Sequence, residues 1–275
     1  VGAMRDCFYA MPRRNYKGEE KALWDFDQEI NDRGFFTDRE FANAAVDLLK
    51  ADKERLDARV AEITHGEVKA ATQRDKLLQH LLMEYGVIVD SLRADDLEDL
   101  LTEDWLPREV KELLKLRITA AMNSTAKYTR LLNMVGPDGR MRGTLQFAGA
   151  SRTARWGGRG YQPQNLRRPT MKADDIERCI ELIKAGDVEG VELFADNLRE
   201  ACSNALRGLM IAAPGKKLVV SDWSNIEGRD AAWLVGEQWK LDAFRAFDTI
   251  LQGVLDKKGK PMRAGPDLYK LAYSK

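Results

Sequence analysis

Val219-Val220-Ser221-Asp222-Trp223-Ser224-Asn225-Ile226-Glu227-Gly228-Arg229 is a short apolar run, then a carboxylate, then the opening of a helical pattern. Upstream, Leu209-Met210-Ile211 is a second apolar run of β type. Ala213-Pro214-Gly215-Lys216 lies between the two and carries a turn signal, so the residues predict a β-hairpin over 209–220. From Ile226 to Leu234 the apolar positions recur at helical spacing. Asp222 then stands at a strand tip just before a helix. Such a carboxylate is well placed for metal or substrate chemistry. It is equally a common helix cap, and on these residues alone the cap is the simpler account.

Outward from this stretch, the segment Gly139–Thr170 has its own character. It holds seven arginines (Arg140, Arg142, Arg152, Arg155, Arg159, Arg167, Arg168), six glycines and no Asp or Glu. Phe147, Trp156 and Tyr161 are interleaved, and neither helical nor strand periodicity persists. Arginine forks in a glycine-rich frame suit phosphates, and bare backbone lets a ligand approach closely. A basic surface loop, solvated or paired with acidic residues elsewhere, is the alternative.

The remainder reads as helical. Thr37-Asp38-Arg39-Glu40 has the pattern of a capping box ahead of Phe41, Ala45, Leu48, Leu49, Leu56, Val60 and Ile63, with a stop at Gly66. A second helix is expected from Thr72 to a stop at Gly86. Asp90–Asp104 reads as a short amphipathic helix with a solvated acidic face. Pro107 suits the first position of a long helix, Val110 to about Met134. Further helices are expected over Ala173–Ala185 and Glu192–Arg207, and Gly253–Pro266 reads as a mobile loop.

The whole chain has 275 residues, with 44 Lys plus Arg against 44 Asp plus Glu and 44% hydrophobic residues. That composition excludes a disordered or collagen-like chain and an overall basic nucleic-acid cloak. No apolar run is long enough for a membrane span, and the first residues do not read as a secretory leader. Cys7, Cys179 and Cys202 with two histidines give neither a disulfide framework nor a zinc site, so a reduced, intracellular protein is expected.

Two stretches in the right order, about sixty residues apart, carry a family resemblance. Gly149-Ala150-Ser151-Arg152-Thr153-Ala154-Arg155-Trp156-Gly157-Gly158-Arg159-Gly160, with Gln162-Pro163-Gln164-Asn165-Leu166, resembles the Thr-Gly-Arg and Gln-Asn-Leu region of family A (DNA polymerase I-like) DNA polymerases, in their phage and prophage version. Val219–Arg229 resembles that family's motif A. Asp27–Gly34 is similar to the lead-in to the polymerase module, and Leu116-Arg117 through Lys127-Tyr128 to the thumb helix. Ala154 stands in place of the motif's glycine, and Arg167 where related phage sequences often have proline.

The resemblance implies an α+β, predominantly helical fold. Residues 1–22 would be the tail of an exonuclease-like domain and 23–134 the thumb with connecting helices. Residues 135–252 would form a partial palm, with the hairpin ending at motif A, and 253–275 a loop and the start of the fingers. It implies template-directed DNA synthesis in a larger parent enzyme, with two Mg²⁺ ions, primer–template DNA and deoxynucleoside triphosphates as cofactors and partners. The setting would be the cytoplasm of a bacterial cell, encoded by phage or prophage, without a membrane. By resemblance, Asp222 is the catalytic metal ligand, joined by the Trp223 backbone carbonyl. Glu227 would line the nucleotide sugar pocket, with Arg229 supporting it or in an ordinary ion pair. Arg155 would reach the minor groove, and Gln164 and Asn165 would hold the DNA backbone. Arg152, Arg159, Arg167 and Arg168 would meet phosphates, as would Lys127 and Arg130 if they are not simply a solvated helix face. The fingers residues and the second catalytic carboxylate have no counterpart in the sequence. The isolated chain is therefore expected to bind primer–template at most and to self-associate. A non-catalytic nucleic-acid-binding relic and half of a split polymerase are the alternatives.

Overall fold

The computed structural model of the chain describes residues 5–6, 9–10, 18–122, 125–256 and 259–273. Most of residues 1–17, and with them most of the expected exonuclease-like tail, lie outside the described residues. The fold is predominantly helical with three small antiparallel two-stranded sheets among the described residues. It divides into two compact units, Val1–Lys217 and Leu218–Lys275.

In the first unit, helix α1 (Gly18–Arg33) begins with Glu19 and Glu20 and ends with Arg33, charges that complement the helix dipole. Its Lys21–Asp25 and Glu29–Arg33 pairs add the favourable i,i+4 spacing. Gly34 ends it with φ +62°, and a Cβ there would sit 2.4 Å from the Met141 carbonyl oxygen. Only glycine satisfies both conditions. Strand β1 (Phe35–Phe36) pairs with β2 (Arg140–Met141).

Helix α2 (Arg39–Ile63) is capped one residue later than expected: the Asp38 carboxylate accepts from the Phe41 N–H at 2.9 Å. Thr37 cannot cap because it is buried in the β1 region. Its hydroxyl and its N–H both donate to the Gly139 carbonyl, and its backbone bridges Met210. At about 1.5 Å per residue α2 is long enough to serve two cores. Phe41 and Ala45 enter one with Tyr128, Leu131, Tyr161, Ile183 and Leu206. Val60 enters the other with Leu77, Leu81, Leu97, Val110 and Leu113. Between the cores, buried Asp52 accepts from Arg199 Nε at 2.6 Å.

Helices α3 (Arg74–Tyr85) and α4 (Ala94–Leu101) agree with the sequence reading. α3 stops at Gly86 in the left-handed region, and α4 buries Leu97 while Asp95, Asp96, Glu98 and Asp99 stay exposed. The long helix expected from Val110 to Met134 is instead two, α5 (Arg108–Ala120) and α6 (Ala126–Leu132). At the break the Thr125 hydroxyl donates to the Met122 carbonyl, a local bond that competes with helix continuity. Strands β3 (Leu145–Gln146) and β4 (Gly157–Gly158) pair within the glycine-rich segment. α7 (Ala173–Ala185) is as expected. The expected Glu192–Arg207 helix is confined to α9 (Leu198–Ala205), preceded by the single turn α8 (Val188–Val191), because Asn197 supplies the cap by accepting from the Glu200 N–H.

The second unit contains α10 (Ile226–Leu234), α11 (Gln238–Asp248), β5 (Ile250–Leu255), β6 (Pro261–Arg263) and α12 (Leu268–Tyr273). Ala232 and Phe244 are its buried apolar centre. Two expectations fail here. The hairpin over 209–220 is absent: the Ala213–Lys216 turn closes with a 2.9 Å bond, but Leu218–Val220 pair with no strand among the described residues. Met210 is already taken by Thr37, so the apolar run has no strand to complete and lies exposed, Val220 by 90%. Gly253–Pro266 is not a loop throughout, since β5 and β6 pair antiparallel across it.

Candidate nucleic-acid interface

The segment Gly139–Thr170 is built on a frame of side chains from α1. Arg140 Nη1 donates to the carbonyls of Arg33 and Gly34, at 3.2 and 3.3 Å. Arg142 Nε donates to the Asp32 carbonyl at 2.6 Å. These are the unsatisfied carbonyls at the end of α1, where a cation is favoured. Arg142 also forks onto Asp138 at 2.9 and 2.6 Å, which pulls the Asp138 carboxyl down to about 2. Two of the seven arginines are therefore fasteners.

Asn31 acts as a substitute strand: its Nδ2 donates to the Leu145 carbonyl and its Oδ1 accepts from the Leu145 N–H, both at 3.1 Å. Below it, Asp27 is 2% exposed and accepts from the Trp156 indole at 2.8 Å and from Gln28 Nε2 at 2.9 Å. Trp156 meets Phe147 edge to face at 5.9 Å. Between the two short strands, a Cβ on Gly149 would lie 2.8 Å from Gly157 Cα, so the backbones approach as only bare glycine allows.

The loop at the tip closes through Ala150 N–H to the Arg155 carbonyl (3.1 Å) and Ala154 N–H to the Ala150 carbonyl (2.8 Å). Ala154 has φ +52°. The alanine that replaces the motif's glycine therefore adopts the left-handed backbone that glycine favours, at a cost of roughly 1 kcal/mol. Arg152 and Arg155 emerge from this loop, exposed. Arg159 is exposed and fixed through Nε to Gln146 Oε1 at 3.0 Å. Gln164 and Asn165 are exposed in a 3₁₀ turn, Asn165 Nδ2 donating to Gln162 Oε1 at 3.1 Å. Arg167 and Arg168 follow, exposed, beside a Leu166 carbonyl that Arg207 holds at 3.2 Å.

This geometry fixes the places of Tyr161, Lys127 and Trp156. Tyr161 is a fully buried anchor whose hydroxyl donates to the Leu206 carbonyl at 2.7 Å, so it is no stacking platform. Lys127 donates to the Tyr161 carbonyl at 2.6 Å, and partial burial, then nearby Arg130, lowers its pKa. It fastens the segment, while Arg130 remains exposed. The aromatic–carboxylate anchor Trp156–Asp27 was missed; the sole signal was an acid on an otherwise polar helix, which nothing in the sequence ties to a tryptophan 129 positions away.

The second unit holds the other candidate residues. Asp222 is exposed, in irregular backbone, and its carboxylate has no hydrogen-bond or ion-pair partner among the described residues. It is neither at a strand tip nor the helix cap, because Asn225 occupies the cap position with φ +57°. Trp223 is 78% exposed. Glu227 lies exposed in the first turn of α10. Arg229 is in an ion pair: it forks onto Asp248 at 2.6 and 2.8 Å, and donates through Nε to the Ser224 carbonyl at 2.7 Å. Its guanidinium lies over Phe244, 4.5 Å from the ring centre. The arginine thus holds the turn that follows Asp222. No group of three or more His, Cys, Asp or Glu side chains able to hold a metal occurs among the described residues.

An exposed arginine surface on a glycine frame, with a partnerless aspartate in the other unit, is joined by one more observation. Over 263 residues the chain shares 35% identity with one curated relative. The chain is similar to a phage DNA polymerase. That relative is the DNA polymerase of Bacillus phage SP02, and the match covers 92% of this chain. It spans 40% of the polymerase, so the chain corresponds to less than half the length of this relative. No family model matches the chain. No solved structure matches it either. No helix among the described residues is long and apolar enough to cross a membrane.

Proposed function

We propose that the chain is part of a family A DNA polymerase, and that its first unit holds primer–template DNA. The similarity to a phage DNA polymerase over 92% of the chain carries this reading. Arg152, Arg155, Arg159, Arg167 and Arg168 present guanidinium groups from a segment without a single carboxylate. Phosphate contacts of this kind position a duplex and carry no sequence information, as a polymerase requires. Arg155, on the closed tip loop, is assigned to the minor groove, where every base pair offers acceptors. Gln164 and Asn165 are assigned to the strand backbone beside it.

In the second unit, Asp222 and the Trp223 carbonyl are assigned as oxygen ligands of Mg²⁺. The donors fit a hard cation in type, and an exposed, partnerless carboxylate is free to ligate. They do not fit in number, since one carboxylate does not make a two-ion centre and no metal-holding cluster is found among the described residues. Glu227 is assigned to the deoxyribose of the incoming nucleotide, where a wall against a 2′-hydroxyl gives selectivity by exclusion. Arg229, already committed to Asp248 and Ser224, positions the Asp222–Asn225 turn and does not touch the nucleotide.

The 275-residue chain alone is expected to bind primer–template and to incorporate no nucleotide. Fluorescence anisotropy with a labelled primer–template, beside a primer-extension assay on the same sample, tests both halves. Saturable binding without extension is the expected result. Extension would remove the claim of incompleteness, and absence of binding would remove the DNA reading.

A further inference from the structure

A cleft of about 390 Å³ opens in the first unit between α1 and the β3 edge. Trp24, Asp27, Asn31, Gln146, Phe147 and Arg159 line it. Its volume suits a single nucleotide and is far too small for a duplex. Two aromatic side chains in one small cleft suit a flat ring, and every nucleobase offers a π face to stack. Asp27 is buried and uses two of its roughly four acceptor positions on Trp156 and Gln28, leaving acceptor capacity on the cleft wall. A carboxylate there disfavours a bare anion and favours an N–H donor, which adenine, cytosine and guanine supply through exocyclic amines and thymine through its N3–H. Arg159 is oriented by its Nε bond to Gln146, leaving its two terminal nitrogens for a phosphate.

We propose that this cleft binds one unpaired nucleotide of a DNA strand, its base against Trp24 and Phe147 and its phosphate on Arg159. The proposal rests on the reading that the adjoining arginine surface binds DNA. It adds to that reading a pocket for a base that has left the stack.

Two probes separate the proposal from the reading beneath it. Deoxyadenosine monophosphate and thymidine monophosphate are titrated into the ¹⁵N-labelled chain, and the tryptophan indole and Arg159 Nε resonances are followed by NMR. Each nucleotide should shift both the Trp24 and Arg159 signals. Trp24→Ala should abolish the shift. It should also weaken binding of a duplex carrying a single-stranded overhang about tenfold (about 1.4 kcal/mol) while blunt duplex binding stays unchanged. Equal losses on blunt and overhanging DNA, or no nucleotide-dependent shift while duplex still binds, would overturn the proposal. Nucleotide binding in the cleft with no duplex binding would overturn the DNA reading and leave the cleft standing.

Discussion

Replacing Trp156 by phenylalanine removes the indole N–H donor, trims the ring and leaves the arginine surface chemically intact. The indole N–H is one of two side-chain donors to the Asp27 carboxylate, which is 2% exposed. Phenylalanine keeps an aromatic ring for the edge contact with Phe147 but leaves that carboxylate short of a donor. A hydrogen bond to a charged group is worth about 1.5–3 kcal/mol, and losing a buried partner costs at the upper end. Trp156 is 39% exposed, so water recovers part of the loss and about 1–2 kcal/mol is expected. For a unit of this size, that lowers the melting temperature by roughly 3–6 °C. Thermal melting gives the global number. Amide exchange at Leu145, held by Asn31 on the same helix, gives the local one. DNA affinity should fall because the segment is less well fixed, with an unchanged salt dependence because no cation is lost. Trp233→Phe, at a 71% exposed site in the other unit, is the control and should stay within about 0.5 kcal/mol. Wild-type stability and unchanged Leu145 exchange in the Trp156→Phe protein would refute the anchor.

Other positions give equally specific expectations. Arg199→Ala leaves the Asp52 carboxylate, buried between the two cores, with only the exposed Arg55 guanidinium at 2.9 Å as partner and should destabilise by about 2–3 kcal/mol in urea unfolding, whereas a surface-like loss below about 1 kcal/mol would contradict the buried pair. Ala154→Gly should stabilise by about 0.5 kcal/mol, relief of the left-handed alanine being partly offset by a freer unfolded chain; destabilisation would mean the loop does not need that backbone. The Asp138 carboxyl is held at about 2 by Arg142, below its ordinary 3.8, so the clasp contributes fully above pH 3.8 and is lost as pH falls through about 2. An NMR titration of Asp138 with a midpoint near its ordinary value would show that the clasp does not form in solution.

Much of the fold was legible because helical periodicity and glycine stops are local signals. α3, α4, α7 and α10 lie within a few residues of their expected bounds for that reason. The misreadings arose where a long-range partner decides. Thr37 carries the right residue type for a cap, but pairing with Gly139 and Met210 takes it into strand backbone and passes the cap to Asp38. Val219 and Val220 have strand composition, but a strand exists only with a neighbour, and none pairs with them among the described residues. The candidate interface shows the same division. Composition marked the arginines, but only the structure separates Arg140 and Arg142, bound to the carbonyls ending α1, from Arg152, Arg155 and Arg159 on the exposed side. For Lys127 the sequence allows a phosphate contact or a solvated helix face, and its bond to the Tyr161 carbonyl is a contact across 34 residues that no local pattern reveals.

The dependence of primer–template affinity on salt, compared between the wild-type chain and an Arg152→Ala, Arg159→Ala double variant, tests the central claim most directly. Each phosphate contact removed should lower the slope of log affinity against log salt by about 0.9. The account predicts a clearly shallower slope and weaker binding at every salt concentration in the double variant. The same affinity and the same slope in both proteins would contradict it.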